Sequence, residues 1–222
     1  HEQFGEDSNQ VRYQAAHYQL VASAKAVKIG HGINPNNKIG CMVLTTIAYP
    51  ETAHPEDTLV VEEYERATTL FTDVHVKGYY PKYWHNRVKG MTLDITTQDL
   101  IDLKEGCVDY IGLSYYSSNM ANREMYINGH GNIIGGKQNP YLPANDWGWQ
   151  IDPIGFHLVL RHLYERYEIP LFVVENGIGY DDIVEENGAI HDTYRIEYLQ
   201  QHIKAMEKAI EEDGVELIGF TP

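Results

Sequence analysis

Apolar positions along this 222-residue chain switch repeatedly between a helical and a strand-like period. Spacings near 3.6 predict helices over Gln10–Ile29, Pro55–Val76, Thr97–Leu103, Pro153–Tyr167 and Asp192–Glu212. In the first, Ala15, Leu20, Ala22, Ala26 and Ile29 share a face, and Gly30 and Gly32 form a plausible stop. Early acids such as Glu56 and Asp57 favour an amino end in the second, and a threonine with Asp99 just behind it opens the third. Pro153 sits in the first turn of the fourth. Ile196, Leu199, Ile203, Met206 and Ile210 make one stripe in the last, closed by Gly214. Between the helices, Ile39–Ala48, Asp109–Tyr116, Leu171–Glu175 and Val215–Phe220 read as strands. This alternation predicts an α/β protein with a parallel sheet. Asn119–Asp146 lacks a clear period and is rich in Gly and Pro; a loop that long in a compact domain is expected to serve function or to move.

The run Ile169–Tyr180, I-P-L-F-V-V-E-N-G-I-G-Y, puts a carboxylate where an apolar strand breaks into a turn. Leu171, Phe172, Val173 and Val174 are unbroken, as in strands covered on both faces. Glu175 follows at once, and Asn176-Gly177 tolerate positive φ. In α/β folds chemistry gathers at the carboxyl ends of parallel strands, so Glu175 is a candidate nucleophile, base or ligand. The plain alternative is a strand-end charge that meets solvent. Tyr115-Tyr116 ends another strand, and a phenol on the same rim would donate to the carboxylate and keep it ionised. Aromatic packing is its alternative. Trp147 and Trp149 precede the Pro153 helix, and indole faces stack on sugar rings as readily as they fill cores.

Composition removes other classes. A hydrophobic content of 43% and a charged content of 22% are ordinary for a soluble globular chain, expected here as a single domain over 1–222. The formal charge of −15 argues against a nucleic-acid surface. It also fits a phosphorylated substrate awkwardly, although a local cluster of cations would still bind a phosphate. No apolar stretch approaches a membrane span, the first ten residues lack the basic start and apolar centre of a signal peptide, and no N-x-[ST] acceptor is present. Cys41 and Cys107 lie in or beside apolar segments and read as buried free thiols of a reducing compartment. A cytoplasmic location without a membrane partner is expected. Gly129–Gly136 only loosely suggests a phosphate loop, and His157 and His162 lack the i, i+4 spacing of a zinc pair. No metal or organic cofactor is expected.

Several motifs in order are more specific than any one. D-Y-I-G-L-S-Y-Y-S-S (Asp109–Ser118), W-G-W-Q-I-D-P-I-G (Trp147–Gly155), the Glu175 segment and D-T-Y-R-I-E-Y-L (Asp192–Leu199) together resemble glycoside hydrolase family 1, the retaining β-glycosidases. The likeness is strongest to its bacterial 6-phospho-β-glucosidase branch, and it runs from H-Y-Q-L-V-A-S-A-K-A-V to G-V-E-L-I-G-F-T-P. It implies a (β/α)8 TIM barrel, of which this chain would supply about the fifth to eighth strand units. Glu175 then matches the family's nucleophile, Tyr116 the residue that supports it and Trp149 the platform for the aglycone. Ser114, the second position the resemblance implies for substrate binding, falls where many members carry asparagine, and the phospho branch often has serine there. The acid/base glutamate belongs to an Asn-Glu pair ending the fourth strand. Glu186-Asn187 here has the reverse order in a polar loop, so the second carboxylate is expected to be absent.

The resemblance implies an intact enzyme that hydrolyses 6-phospho-β-glucosides through a covalent glycosyl-enzyme intermediate. One rival is a family 1 enzyme acting on unphosphorylated β-glucosides; another is a non-catalytic sugar-binding or interaction module. The family's phosphate-binding loop would lie after Pro222, so the first choice stays open, whereas Glu175 beside Tyr116 speaks against the second rival. Half a barrel would expose two sheet edges and an apolar interior, which favours association with another chain, a second copy included.

Overall fold

The computed structural model describes residues 8–124 and 137–222. Six helices are present among them: α1 (Asn9–Ile33), α2 (Pro55–Lys77), α3 (Lys82–Arg87), α4 (Thr97–Glu105), α5 (Pro153–Tyr167) and α6 (Thr193–Asp213). The strands are β1 (Gly40–Thr45), β2 (Ala48–Pro50), β3 (Tyr110–Tyr115), β4 (Asn119–Ala121), β5 (Leu171–Asn176) and β6 (Leu217–Phe220). The chain forms two compact units, residues 1–41 with 69–111 and residues 42–68 with 112–222. No helix among the described residues is long and apolar enough to cross a membrane.

The core of the first unit joins Leu20, Val21 and Ala24 of α1 to Leu70 and Val74 of α2, Trp84 of α3 and Leu103 of α4. Tyr80 stacks on Trp84 at 3.9 Å and meets His17 Nδ1 through its hydroxyl at 2.9 Å. The face that α1 buries is His17, Leu20, Val21, Ala24 and Val27, not the expected one: Ala22, Ala26 and Ile29 are exposed. Alanines mark a helix face weakly, because their burial contributes little. The helix also runs through Gly30 and Gly32 and ends at Asn34, just before Pro35. Proline disfavours helical backbone in the residue ahead of it, which makes it the stronger stop. In α4 the cap is Thr96 rather than Thr97, with Asp99 completing a reciprocal capping box.

The second unit is built on a four-stranded sheet ordered β1-β3-β5-β6, with β5 and β6 parallel. Its strand order follows the sequence, so strands consecutive along the chain in this sheet are also spatial neighbours. Two strands escaped the hydrophobic pattern: β2 and β4 pair in parallel over three residues each, too short for a period to show. Ile111, Leu113 and Tyr115 of β3 are fully buried. The Tyr115 ring packs on Phe156 of α5 at 5.1 Å and on His202 of α6 at 6.1 Å. In β5, Leu171 and Val173 are buried, but Phe172 and Val174 are only half-buried. The expected cover on both faces is therefore incomplete among the described residues.

Helix α6 departs most from its pattern. It buries Tyr198, His202, Ala205, Met206 and Ala209, while Ile196, Ile203 and Ile210 remain exposed. Aromatic and imidazole groups fill the buried stripe, and a count of aliphatic residues misses them. Cys41 is buried and its thiol is pushed up to about 12 by that burial, whereas Cys107 is only half-buried; both are free.

The joint of this unit is Asp152, the N-cap of α5, which is 1% exposed. Its Oδ1 accepts from Gly155 N at 2.8 Å. Its Oδ2 accepts from Tyr49 Oη at 2.8 Å and Ser118 Oγ at 2.6 Å, and its carbonyl from Tyr115 Oη at 2.9 Å. One carboxylate thus ties β2, the β3–β4 turn and a helix start. Asp152→Ala would strand three donors, the buried Gly155 N and Ser118 Oγ and the half-buried Tyr49 Oη. At about 1–3 kcal/mol for each buried unsatisfied group, a loss of at least about 2 kcal/mol is expected, read as a lower urea midpoint. A change below about 1 kcal/mol would mean that water replaces these bonds.

Candidate active site

Strands β3 and β5 are neighbours in the sheet, so Tyr116, one residue past β3, comes beside Glu175 near the end of β5. Tyr116 Oη donates to Glu175 Oε2 at 2.9 Å. Glu175 is exposed and Tyr116 is half-buried. Burial first, and then the hydrogen bond and charge of Glu175, raise the Tyr116 pKa above the ordinary phenol value. The phenol is therefore protonated at neutral pH and is the donor of this bond. An aimed, ionised carboxylate on an open rim is equipped for nucleophilic attack.

The backbone beneath this pair is held from behind. Asn176 Nδ2 donates to the carbonyl of Tyr115 at 2.8 Å and to Tyr198 Oη at 3.1 Å. Tyr198 Oη donates in turn to the carbonyl of Tyr116 at 3.2 Å. The Tyr198 ring stacks on His202 at 3.8 Å, and His202 Nδ1 lies 2.8 Å from the Tyr198 carbonyl. Burial lowers the His202 pKa, so the imidazole is neutral and Nδ1 is the donor. The expected positive-φ turn is not formed: neither Asn176 nor Gly177 has positive φ, and Asn176 is a buried strand residue. Its amide is used for hydrogen bonding, not for backbone freedom. Nothing in local sequence marks Tyr198 apart from the other aromatics of α6.

Trp149 meets Tyr116 edge-on at 5.9 Å, and Trp147 meets Trp149 edge-on at 6.0 Å. Asn145 orders both, since its Oδ1 accepts from Trp147 N at 3.1 Å and Trp149 N at 2.8 Å. Its Nδ2 reaches the Gly179 carbonyl at 2.5 Å. Gly179 must lack a side chain, because a Cβ there would lie 2.1 Å from the Trp147 ring. A cleft of about 520 Å³ opens beside this group, with Thr45, Thr46, Tyr116, Asn119, Gln138 and Trp149 among its walls. Glu175 borders it through Tyr116 rather than lining it.

The structure thus brings Glu175, Tyr116 and Trp149 together and leaves Ser114 out. Ser114 is 1% exposed, its hydroxyl has no partner among the described residues, and its carbonyl accepts from Thr45 Oγ1 at 2.6 Å. It is sealed below the rim, so the expected substrate contact is not available to it. Gln138, Asn145 and Asn119 were missed because they lie in the aperiodic stretch, where no spacing orders them. Gly129–Gly136 lies outside the described residues. His157 pairs with Asp213, and no group of three metal-ligating side chains occurs among the described residues.

The sequence model of glycosyl hydrolase family 1 matches residues 4–222. An aryl-phospho-beta-D-glucosidase of Bacillus subtilis (strain 168) is 49% identical, over 98% of this chain and 47% of its own length. A 6-phospho-beta-glucosidase of Clostridium longisporum is 48% identical, over 96% of this chain and 46% of its own. The solved family 1 β-glucosidase from Thermotoga maritima superposes with a TM-score of 0.82 at 29% identity, covering 95% of this chain and 47% of that one. The chain spans about half the length of the relatives it matches. With its strand order, its helices and a match over nearly all its residues, it belongs to glycosyl hydrolase family 1 and forms part of that family's (β/α)8 barrel.

Proposed function

We propose that the intact protein carrying this chain, as a single barrel domain, is a retaining β-glycosidase acting on 6-phospho-β-glucosides. The observation that carries the reading is the Tyr116–Glu175 hydrogen bond at the ends of two adjacent strands. In the first step Glu175 attacks the anomeric carbon while a second carboxyl group protonates the departing oxygen. A glycosyl ester forms, and the same second group then activates the water that cleaves it. Retaining enzymes hold the two carboxyls roughly 5–5.5 Å apart. We assign the second to the part of the relatives' length that this chain does not span. Tyr116 aims the nucleophile and releases it as the ester forms. Trp149 offers its indole, 38% exposed, as a stacking face for the aglycone. No metal or organic cofactor enters this chemistry.

The phosphorylated substrate class rests on the relatives. Those named for phospho-glucosides reach 49% identity, against 30% for the Thermotoga maritima beta-glucosidase A. That enzyme supports the second reading, a family 1 protein acting on unphosphorylated β-glucosides.

In the full-length protein Glu175→Gln is expected to lower kcat by several orders of magnitude with the fold intact, because an amide cannot form the ester. A 2-deoxy-2-fluoro glucoside 6-phosphate should label Glu175, detected by peptide mass spectrometry. Near-normal turnover in the variant, or a label on another residue, overturns the assignment.

The 222-residue chain by itself should leave p-nitrophenyl β-glucoside 6-phosphate intact, since it supplies one carboxyl of the two. Robust turnover by the purified chain would reveal a second carboxylate within it.

The Tyr116 titration is a third test. Burial persists in Glu175→Gln but the negative charge is gone, so Tyr116 should ionise at lower pH than in the parent. Tyrosine-labelled carbon NMR follows that ionisation directly, and an unmoved Tyr116 resonance would show that the two groups do not interact in solution.

A further inference from the structure

We infer that Tyr198 and Asn176 are positioning residues that fix the Tyr116–Glu175 bond from behind. The inference rests on the function proposed above and deepens it. Its basis is a closed ring of contacts. Asn176 is covalently next to Glu175, and Asn176 Nδ2 donates to Tyr198 Oη at 3.1 Å. Tyr198 Oη donates to the Tyr116 carbonyl at 3.2 Å, and Tyr116 Oη donates to Glu175 Oε2 at 2.9 Å, which closes the ring.

Donor accounting gives the ring its direction. Asn176 has two amide protons, and both are committed, one to the Tyr115 carbonyl and one to Tyr198 Oη. The Tyr198 hydroxyl accepts that proton and has a single proton of its own, which goes to the Tyr116 carbonyl. The Tyr198 ring cannot swing away, because it is 1% exposed and stacked on His202. Tyr116 by contrast is half-buried, and its side chain meets Trp149 only edge-on. The aim of its phenol is therefore set through its backbone, and the Tyr198 hydroxyl holds that backbone.

Tyr198→Phe removes the hydroxyl and keeps the ring on His202, so it tests the relay apart from the packing. In the full-length protein, assayed on p-nitrophenyl β-glucoside 6-phosphate, it should lower kcat roughly tenfold to a hundredfold, the range a small misplacement of a reacting group causes. KM should stay within about twofold, because the misplaced group acts in the chemical step. The deciding arm is a double-mutant cycle. If Tyr198 acts through Tyr116, adding Tyr198→Phe to Tyr116→Phe causes no further loss. Losses that multiply in the double variant, or an unchanged kcat in Tyr198→Phe, overturn the inference and leave the proposed function standing. An unsubstituted protein without turnover on this substrate overturns both. Should Tyr198→Phe fail to fold by circular dichroism, the same cycle run with Asn176→Ala, which removes the other donor, carries the decision.

Discussion

A carboxylate taken out of water must be repaid with donors, and Asp152 shows what that constraint builds. Four bonds converge on one residue that is 1% exposed. They come from a strand outside the main sheet, from the turn after β3, from the last side chain of β3 and from the first turn of α5. Each of them counts, because a buried polar group left without its partner costs about 1–3 kcal/mol. Meeting that demand leaves β3 one way to end and α5 one way to begin. Tyr116 and Trp149, each within a few residues of these bonds, inherit their positions from it.

The chemistry sits where the constraint ends. Glu175 and Tyr116 face outward, while Asn176 and Tyr115, their chain neighbours, face inward and are buried. Adjacent residues on a strand point to opposite sides, so each catalytic candidate has an anchoring partner built into the next position. The anchors are polar and the core around them is aromatic: Tyr115, Phe156, Tyr198 and His202 form a stacked group. A stiff aromatic layer under a polar rim is well suited to holding a carboxylate to within a fraction of an ångström.

Alternation of periods was enough to read five of the six described helices and the four sheet strands, the six-residue α3 being too short to show a period, and the apolar run ending in Glu175 pointed to the rim. Three kinds of feature were illegible. Short strands such as β2 and β4 carry no period. Buried faces built from His17, Tyr198 and His202 look polar to a hydrophobicity count, so the stripes on α1 and α6 were displaced. The third kind is long-range hydrogen bonding. Asn176 reads as a turn former because its neighbour is glycine, and only the folded chain puts the Tyr115 carbonyl in front of it. The described walls of the cleft carry no lysine or arginine, which the charge of −15 over the whole chain foreshadowed without locating. Aromatic faces, hydroxyls and amides line it instead.

Asn145 has a consequence for how such a site can diverge. One side chain braces the backbone of both tryptophans and reaches across to Gly179, and Trp147 lies against that glycine so closely that no side chain fits. The paired tryptophans and the loop that follows Glu175 are thereby a single mechanical part. A change that moves either indole will be transmitted to the segment two to four residues beyond Glu175, and a variant that reshapes one should need a second change at the Asn145–Gly179 contact to restore the other.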